Sequence, residues 1–158
     1  YQLSALAKMT EIIKSTAEDN EILTEITKKS KAYWGYSDEQ MESWSELLTI
    51  TKNYIETNKV YKLVVDKLTV GYYSYVYLNE KEVKLDNLFI MPSYIGKGFG
   101  KLLMVNFLTE IENSEVEKIT LDSEPNAASF YESFGFIKVG QIETSIKDRY
   151  LPIMELKI

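Results

Sequence analysis

Three glycines, Gly96, Gly98 and Gly100, alternate with Lys97 and Phe99, and Lys101 follows them. Residues of these types at this spacing suit an anion. Glycine lets the backbone approach a ligand closely, and two lysines add positive charge at the same place. An apolar run, Leu88 to Met91, leads into the glycines, and Pro92 stops it. Beyond them Phe99, Leu103, Phe107 and Ile111 recur every four residues, with Met104 and Leu108 beside them. The pattern therefore predicts strand, glycine turn and helix. The first N–H groups of that helix lack partners inside it and carry the positive end of its dipole, so a phosphate can rest on them. The spacing also excludes two common phosphate binders. A P-loop needs a hydroxyl residue after Gly-Lys, and Leu102 stands there. A dinucleotide fingerprint needs G-x-G-x-x-G, and here only one residue separates Gly98 from Gly100.

Two absences narrow the remaining chemistry. The chain has no cysteine and no histidine. It therefore has no thiol nucleophile, no imidazole base and no histidine-ligated metal, and no metal is implied. Proton transfer falls to carboxylates, tyrosine, lysine, the backbone or water. The formal net charge of −6 argues against a nucleic-acid partner bound through its phosphates. No uncharged run is long enough to span a bilayer, so no membrane partner is expected and the cytoplasm is the default location. With 158 residues, 45% of them hydrophobic, one domain over 9–158 is expected. Tyr1 to Lys8 precede Met9 and read as an appended remnant.

The elements that must position these groups follow from periodicity. Thr10–Lys14 reads as a first strand. Thr16 with Asp19, and Ser37 with Gln40, look like capping boxes opening two helices. The first carries Ile22, Ile26 and Tyr33 on one face and ends at Gly35. The second carries Met41, Trp44, Leu47 and Leu48. Trp34 and Trp44 are expected to pack in the core, and a short piece covers Lys52 to Thr57. From Lys59 the period becomes two: Val60–Val65, a turn near Asp66-Lys67, Val70–Leu78, a polar turn at Asn79–Glu82, then Val83–Met91. The tyrosines of Gly71–Tyr77 read as a dimerisation face or as core under a helix. A strand over Val116–Asp122 follows the main helix. Ala127, Phe130, Tyr131 and Phe134 then share a helical face, with Gly135 as its terminator. Ile137–Ser145 and Pro152–Ile158 close the chain as strands. The order β-α-α-β-β-β-α-β-α-β-β describes an α+β fold with a mixed, mostly antiparallel central sheet flanked by helices.

Two stretches carry a resemblance. Ile95–Gly100 is similar to [QR]-x-x-G-x-[GA], motif A of the GNAT superfamily of N-acetyltransferases, with Ile95 in place of Gln or Arg. Glu124–Phe136 matches a common form of motif B, E/D-P-N-A-x-x-F-Y-x-x-x-G-F, at every defined position. The order of elements also resembles that family from Met9 onward.

The resemblance implies acetyl transfer from acetyl-CoA to a primary amine of a small molecule or peptide, with acetyl-CoA as co-substrate. Ile95, Gly96, Lys97, Gly98, Phe99, Gly100 and Lys101 would hold the diphosphate, with no side-chain contact from Ile95. Backbone groups of Phe89 and Ile90 would receive the thioester oxygen, and the pantetheine would add to the same strand. Asn126 would bond the pantetheine, cap a helix, or both. Tyr131 would protonate the leaving thiolate, or else serves as a core tyrosine. The base is Asp86, Glu124 or water, and Tyr36 would touch the acceptor. Without cysteine, transfer is expected to be direct, in a ternary complex. The other readings are a binding module of the same fold that holds acyl-CoA or a metabolite without turnover, and a nucleotide-binding regulator. A homodimer is compatible with either.

Overall fold

The computed structural model describes residues 9–144, 146 and 149–158. Tyr1 to Lys8 and Ser145, to which the sequence assigns a remnant and a strand end, lie outside the described residues. The elements are β1 (Thr10–Lys14), α1 (Asn20–Ala32), α2 (Asp38–Ser43), α3 (Lys52–Thr57), β2 (Lys59–Val65), β3 (Leu68–Asn79), β4 (Glu82–Ile90), α4 (Phe99–Glu112), β5 (Lys118–Asp122), α5 (Ala128–Glu132), β6 (Ile137–Glu143) and β7 (Tyr150–Lys157). Seven strands form one sheet in the order β1-β2-β3-β4-β5-β7-β6. The expected element order holds, with α3 as an additional short helix.

The chain forms two compact units. One comprises the residues up to Ser74 together with Asn87–Thr109. In it β1 pairs antiparallel with β2, from Thr10 opposite Val65 to Lys14 opposite Tyr61. Asp66 and Lys67 both take positive φ, 49° and 67°, which suits a two-residue hairpin turn into β3. Leu23, Ile26, Ile50, Ile55, Val60 and Tyr72 form one apolar cluster, against which Ile22, Tyr54, Phe89 and Met91 pack. Tyr73 belongs to a second layer. It stacks on Tyr61 with centroids 5.3 Å apart, meets Phe107 of α4 at 5.5 Å, and donates from its hydroxyl to Asn106 Oδ1 at 2.7 Å. Leu103, Met104 and Phe107 are buried along α4, so the four-residue stripe faces the core as the spacing requires. Tyr72, Tyr73 and Tyr75 are buried, so this part of the tyrosine run is core, while Tyr77 at its end is 49% exposed.

The other unit comprises Tyr75–Asp86 and Glu110–Ile158. Its parallel β4–β5 register covers three pairs, Glu82–Lys84 against Lys118–Thr120. β5 then pairs antiparallel with β7 along its whole length, and β7 with β6, with an irregularity between Lys138 and Gly140.

Two expectations need correction. The second helix ends at Ser43, short of Leu47, whose side chain is 81% exposed. Ser43 Oγ donates to the Gln40 carbonyl at 2.7 Å, a local bond that competes with the helical ladder. Trp34 is not core: it follows the last turn of α1 and is 45% exposed. Trp44 is half-buried, edge-on to Tyr36 at 4.9 Å, with Lys31 Nζ over its ring at 5.5 Å.

Candidate active site

β4 delivers the chain to the glycine turn. Its final residues are held closely within their own unit. Ser30 Oγ of α1 donates to the Ile90 carbonyl at 2.7 Å, and Met91 N donates to the Val70 carbonyl at 2.7 Å. Gly71 on β3 allows this approach. A Cβ there would lie 2.7 Å from Ile90 Cδ1 and 2.9 Å from the Phe89 carbonyl oxygen. Pro92–Tyr94 make a single 3-10 turn, and the glycines follow.

Gly96 and Gly98 take φ of +84° and +82°, and nothing lies within 4 Å of a Cβ built on either. Glycine is therefore required here for conformation rather than for room. Leu102 N donates to the Gly98 carbonyl at 3.1 Å, which makes Gly98 the residue from which α4 springs. The N–H groups of Phe99, Gly100 and Lys101 fall in the first turn, where no intrahelical acceptor exists. Lys97 and Lys101 are exposed on either side, and Phe99 packs its ring against Tyr94 at 6.2 Å. Ile95 is 46% exposed and so is not spent on the core. A turn of this kind presents backbone donors and two cations to an anion such as a diphosphate.

The second motif lies in the other unit. Pro125–Ala127 form a 3-10 turn, α5 follows, and Gly135 at φ +98° ends it. Gly135 N donates to Glu132 and Phe136 N returns to Tyr131, closing the helix as the sequence predicts. Tyr131 is partly buried, edge-on to Phe130 at 5.2 Å and to Phe136 at 5.9 Å. Burial pushes its phenol well above the ordinary value of 10.0. Asn126 is exposed in the 3-10 turn. The cap position of α5 is Ala127, which makes no side-chain cap, so the capping alternative for Asn126 does not hold.

The two candidate carboxylates differ sharply. Asp86 is exposed on β4. Glu124 is paired with Arg149, the chain's single arginine, at 2.7 Å, with side chains only 12% and 11% exposed. Sequence reasoning missed Arg149. Its signal was its singularity, since all other cationic residues are lysines. Also missed was a polar cluster behind β4. Asn87 Nδ2 donates to Ser74 Oγ at 2.9 Å and to Tyr54 Oη at 3.4 Å, and the two hydroxyls bond each other at 2.9 Å. Tyr36 is half-buried beside Trp44. Among the described residues no group of three or more His, Cys, Asp or Glu side chains gathers as a metal site.

Comparison with known proteins agrees with this arrangement. A family model described as an acetyltransferase (GNAT) domain matches residues 32–152. An uncharacterized N-acetyltransferase, ycf52, of Porphyra purpurea is 41% identical over 49 residues, 31% of this chain and 28% of its own. The [ribosomal protein bS18]-alanine N-acetyltransferase of Haemophilus influenzae is 37% identical over 73 residues, 45% of this chain and 47% of its own. The chain thus spans half or less of the curated relatives it matches. The crystal structure of PaiA N-acetyltransferase from Thermoplasma acidophilum in complex with coenzyme A superposes with a TM-score of 0.78 at 23% identity, covering 94% of this chain and 99% of that one. The glycine turn, the second motif and the seven-stranded mixed sheet that carries them make this chain a member of the GNAT acetyltransferase family.

Proposed function

We propose that the protein transfers an acetyl group from acetyl-CoA to a primary amine of a small molecule or peptide, by direct attack within a ternary complex. The observation that carries this reading is the turn at Gly96–Gly98, with its two positive-φ glycines and flanking lysines, set directly between β4 and the N-terminus of α4. The coenzyme's diphosphate lies on the N–H groups of Phe99, Gly100 and Lys101, with Gly96 and Gly98 giving the backbone its approach and Lys97 adding charge. Ile95 contributes no polar contact. The backbone N–H groups of Phe89 and Ile90 receive the thioester oxygen, and Asn126 bonds the pantetheine.

In the reaction the amine nitrogen attacks the thioester carbon, the C–N bond forms and the C–S bond breaks. Charge gathers first on the carbonyl oxygen and then on sulfur. Tyr131 gives its phenolic proton to the departing thiolate; burial keeps the phenol protonated until then but also makes it the weaker acid, so its proton moves only as negative charge gathers on sulfur. The amine proton leaves through water to Asp86. Glu124 is the less suitable base, because Arg149 already occupies one of its oxygens. Tyr36 contributes to the acceptor side. The Haemophilus relative acts, by its name, on an alanine of a ribosomal protein. A peptide amine is accordingly one acceptor class to test beside small amines.

The same Arg149–Glu124 pairing, with Ile95 at the diphosphate turn, favours a second reading in which the fold binds acyl-CoA without turnover. Calorimetric titration with acetyl-CoA, followed by thiol-release assays over polyamines, amino acids, aminoglycosides and peptides, separates the two. Binding with amine-dependent thiol release is expected. Binding without release across the panel selects the second reading, and absence of binding overturns both.

A further inference from the structure

Asn87 has an unusual setting for a strand residue. It lies on β4 two residues before Phe89 and shares its face. That face packs toward α1 and α3: Phe89 meets Tyr72 at 6.1 Å and joins the cluster of Leu23, Ile26 and Ile55. On it the Asn87 amide group meets two hydroxyls, Ser74 Oγ and Tyr54 Oη. Those two hydroxyls carry two hydrogens in total and use one in their mutual bond. They cannot both donate to a carboxamide oxygen, whereas the two hydrogens of an NH2 group satisfy both contacts. The NH2 therefore points inward and Oδ1 points away. Among the described residues Oδ1 has no hydrogen-bond partner. Among the described residues the only buried side-chain polar atom without a partner is Ser15 Oγ, so Asn87 Oδ1 reaches accessible space.

We infer that Asn87 receives the acceptor amine, its Oδ1 accepting a hydrogen bond from the amine N–H while Ser74 and Tyr54 hold the carboxamide in place. This rests on the transferase reading above. The spacing suits it. Two residues along a strand span about 7 Å. A path of two hydrogen bonds of about 3 Å, one at Oδ1 and one at the Phe89 amide, with a near-attack contact of about 3.5 Å between them spans that separation when bent. An amine held at Asn87 thus lies within reach of a thioester carbon whose oxygen sits on the Phe89 and Ile90 amides. The ligand class follows from the acceptor atom. A lone carbonyl oxygen selects a donor-rich primary amine and gives nothing to a carboxylate.

The test is steady-state kinetics with spermidine, benzylamine and an alanyl tripeptide as acceptors, alongside calorimetry with acetyl-CoA. Asn87→Ala is expected to raise the KM of the best acceptor by about tenfold or more, the scale of a hydrogen bond to a charged group, and to leave acetyl-CoA affinity within about twofold. Ser74→Ala and Tyr54→Phe are expected to raise KM less, and to add nothing when combined with Asn87→Ala. Asn87→Asp retains the shape and favours the ammonium form of the amine, so the acid limb of kcat/KM moves to higher pH, which a purely structural role would not do. An unchanged acceptor KM in Asn87→Ala, or an unchanged pH profile in Asn87→Asp should the alanine variant not fold, overturns the assignment while leaving the transferase reading intact. A wild-type protein that binds no acetyl-CoA overturns the transferase reading and this one with it.

Discussion

Tyr131 sits between the rings of Phe130 and Phe136, in surroundings that disfavour its charged form. The sign of this matters twice. A general acid acts only while protonated, and a phenol raised above 10.0 stays protonated past that pH. The alkaline limb of kcat below pH 10 is therefore not set by Tyr131. Tyr131→Phe is expected to lower kcat by about 10²- to 10⁴-fold, the usual range for removing a positioned acid, with acetyl-CoA affinity unchanged. The same shift bears on stability. The contribution is fully present below the unfolded value of 10.0. Above it the unfolded phenol ionises first, so stability falls as pH rises toward the folded value. Denaturant titrations should show the wild type losing more stability than Tyr131→Phe above pH 10. Among the carboxylates, Asp86→Asn is expected to lower kcat/KM. Glu124→Gln should instead lower the melting temperature, since it removes the carboxylate charge that faces the partly buried Arg149 at 2.7 Å. The motif that contains Tyr131 and Asn126 was legible because it is one contiguous run with fixed spacing. Arg149 and Asn87 were not. Their partners lie 25 and 13 or more residues away, and no periodicity reports a pairing made between segments so distant in the sequence.

At the scale of the element, the glycine turn and α4 act as one piece. The helix was legible because its stripe is long and regular, and Leu103, Met104, Phe107 and Ile111 are all buried. The weakly patterned α2 was misjudged, because a serine bonding back to its own turn cuts short a stripe that sequence alone would continue. For the turn, a Cβ at Gly98 meets no neighbour, so Gly98→Ala has only the left-handed backbone to contend with. That costs about 1–2 kcal/mol if φ is kept. If φ relaxes instead, the first N–H groups of α4 re-aim. Either way Gly98→Ala is expected to weaken acetyl-CoA binding by calorimetry while the far-ultraviolet spectrum of the fold persists. Ile95 gives the opposite test. It is exposed, so Ile95→Arg removes little packing and adds a planar donor beside the diphosphate. Tighter acetyl-CoA binding, with a steeper salt dependence than wild type, is the expected result.

For the whole molecule, composition constrains the route more than any single contact does. A double-displacement transferase parks the acetyl group on the protein, which requires a thiolate or a hydroxyl activated by a neighbouring base. The chain has no cysteine to supply the first and no histidine to supply the usual form of the second. Direct attack needs no carrier residue, only an oxygen held by amides, an acid for sulfur and a base for nitrogen. Initial-rate measurements with both substrates varied should therefore give intersecting double-reciprocal lines. Incubation with acetyl-CoA alone, followed by intact-mass spectrometry, should yield no acetylated protein that transfers its acetyl group to an added amine. Parallel lines together with such a transferable adduct would mean that a lysine or hydroxyl carries the acetyl group, and direct attack would have to be abandoned for this member of the family.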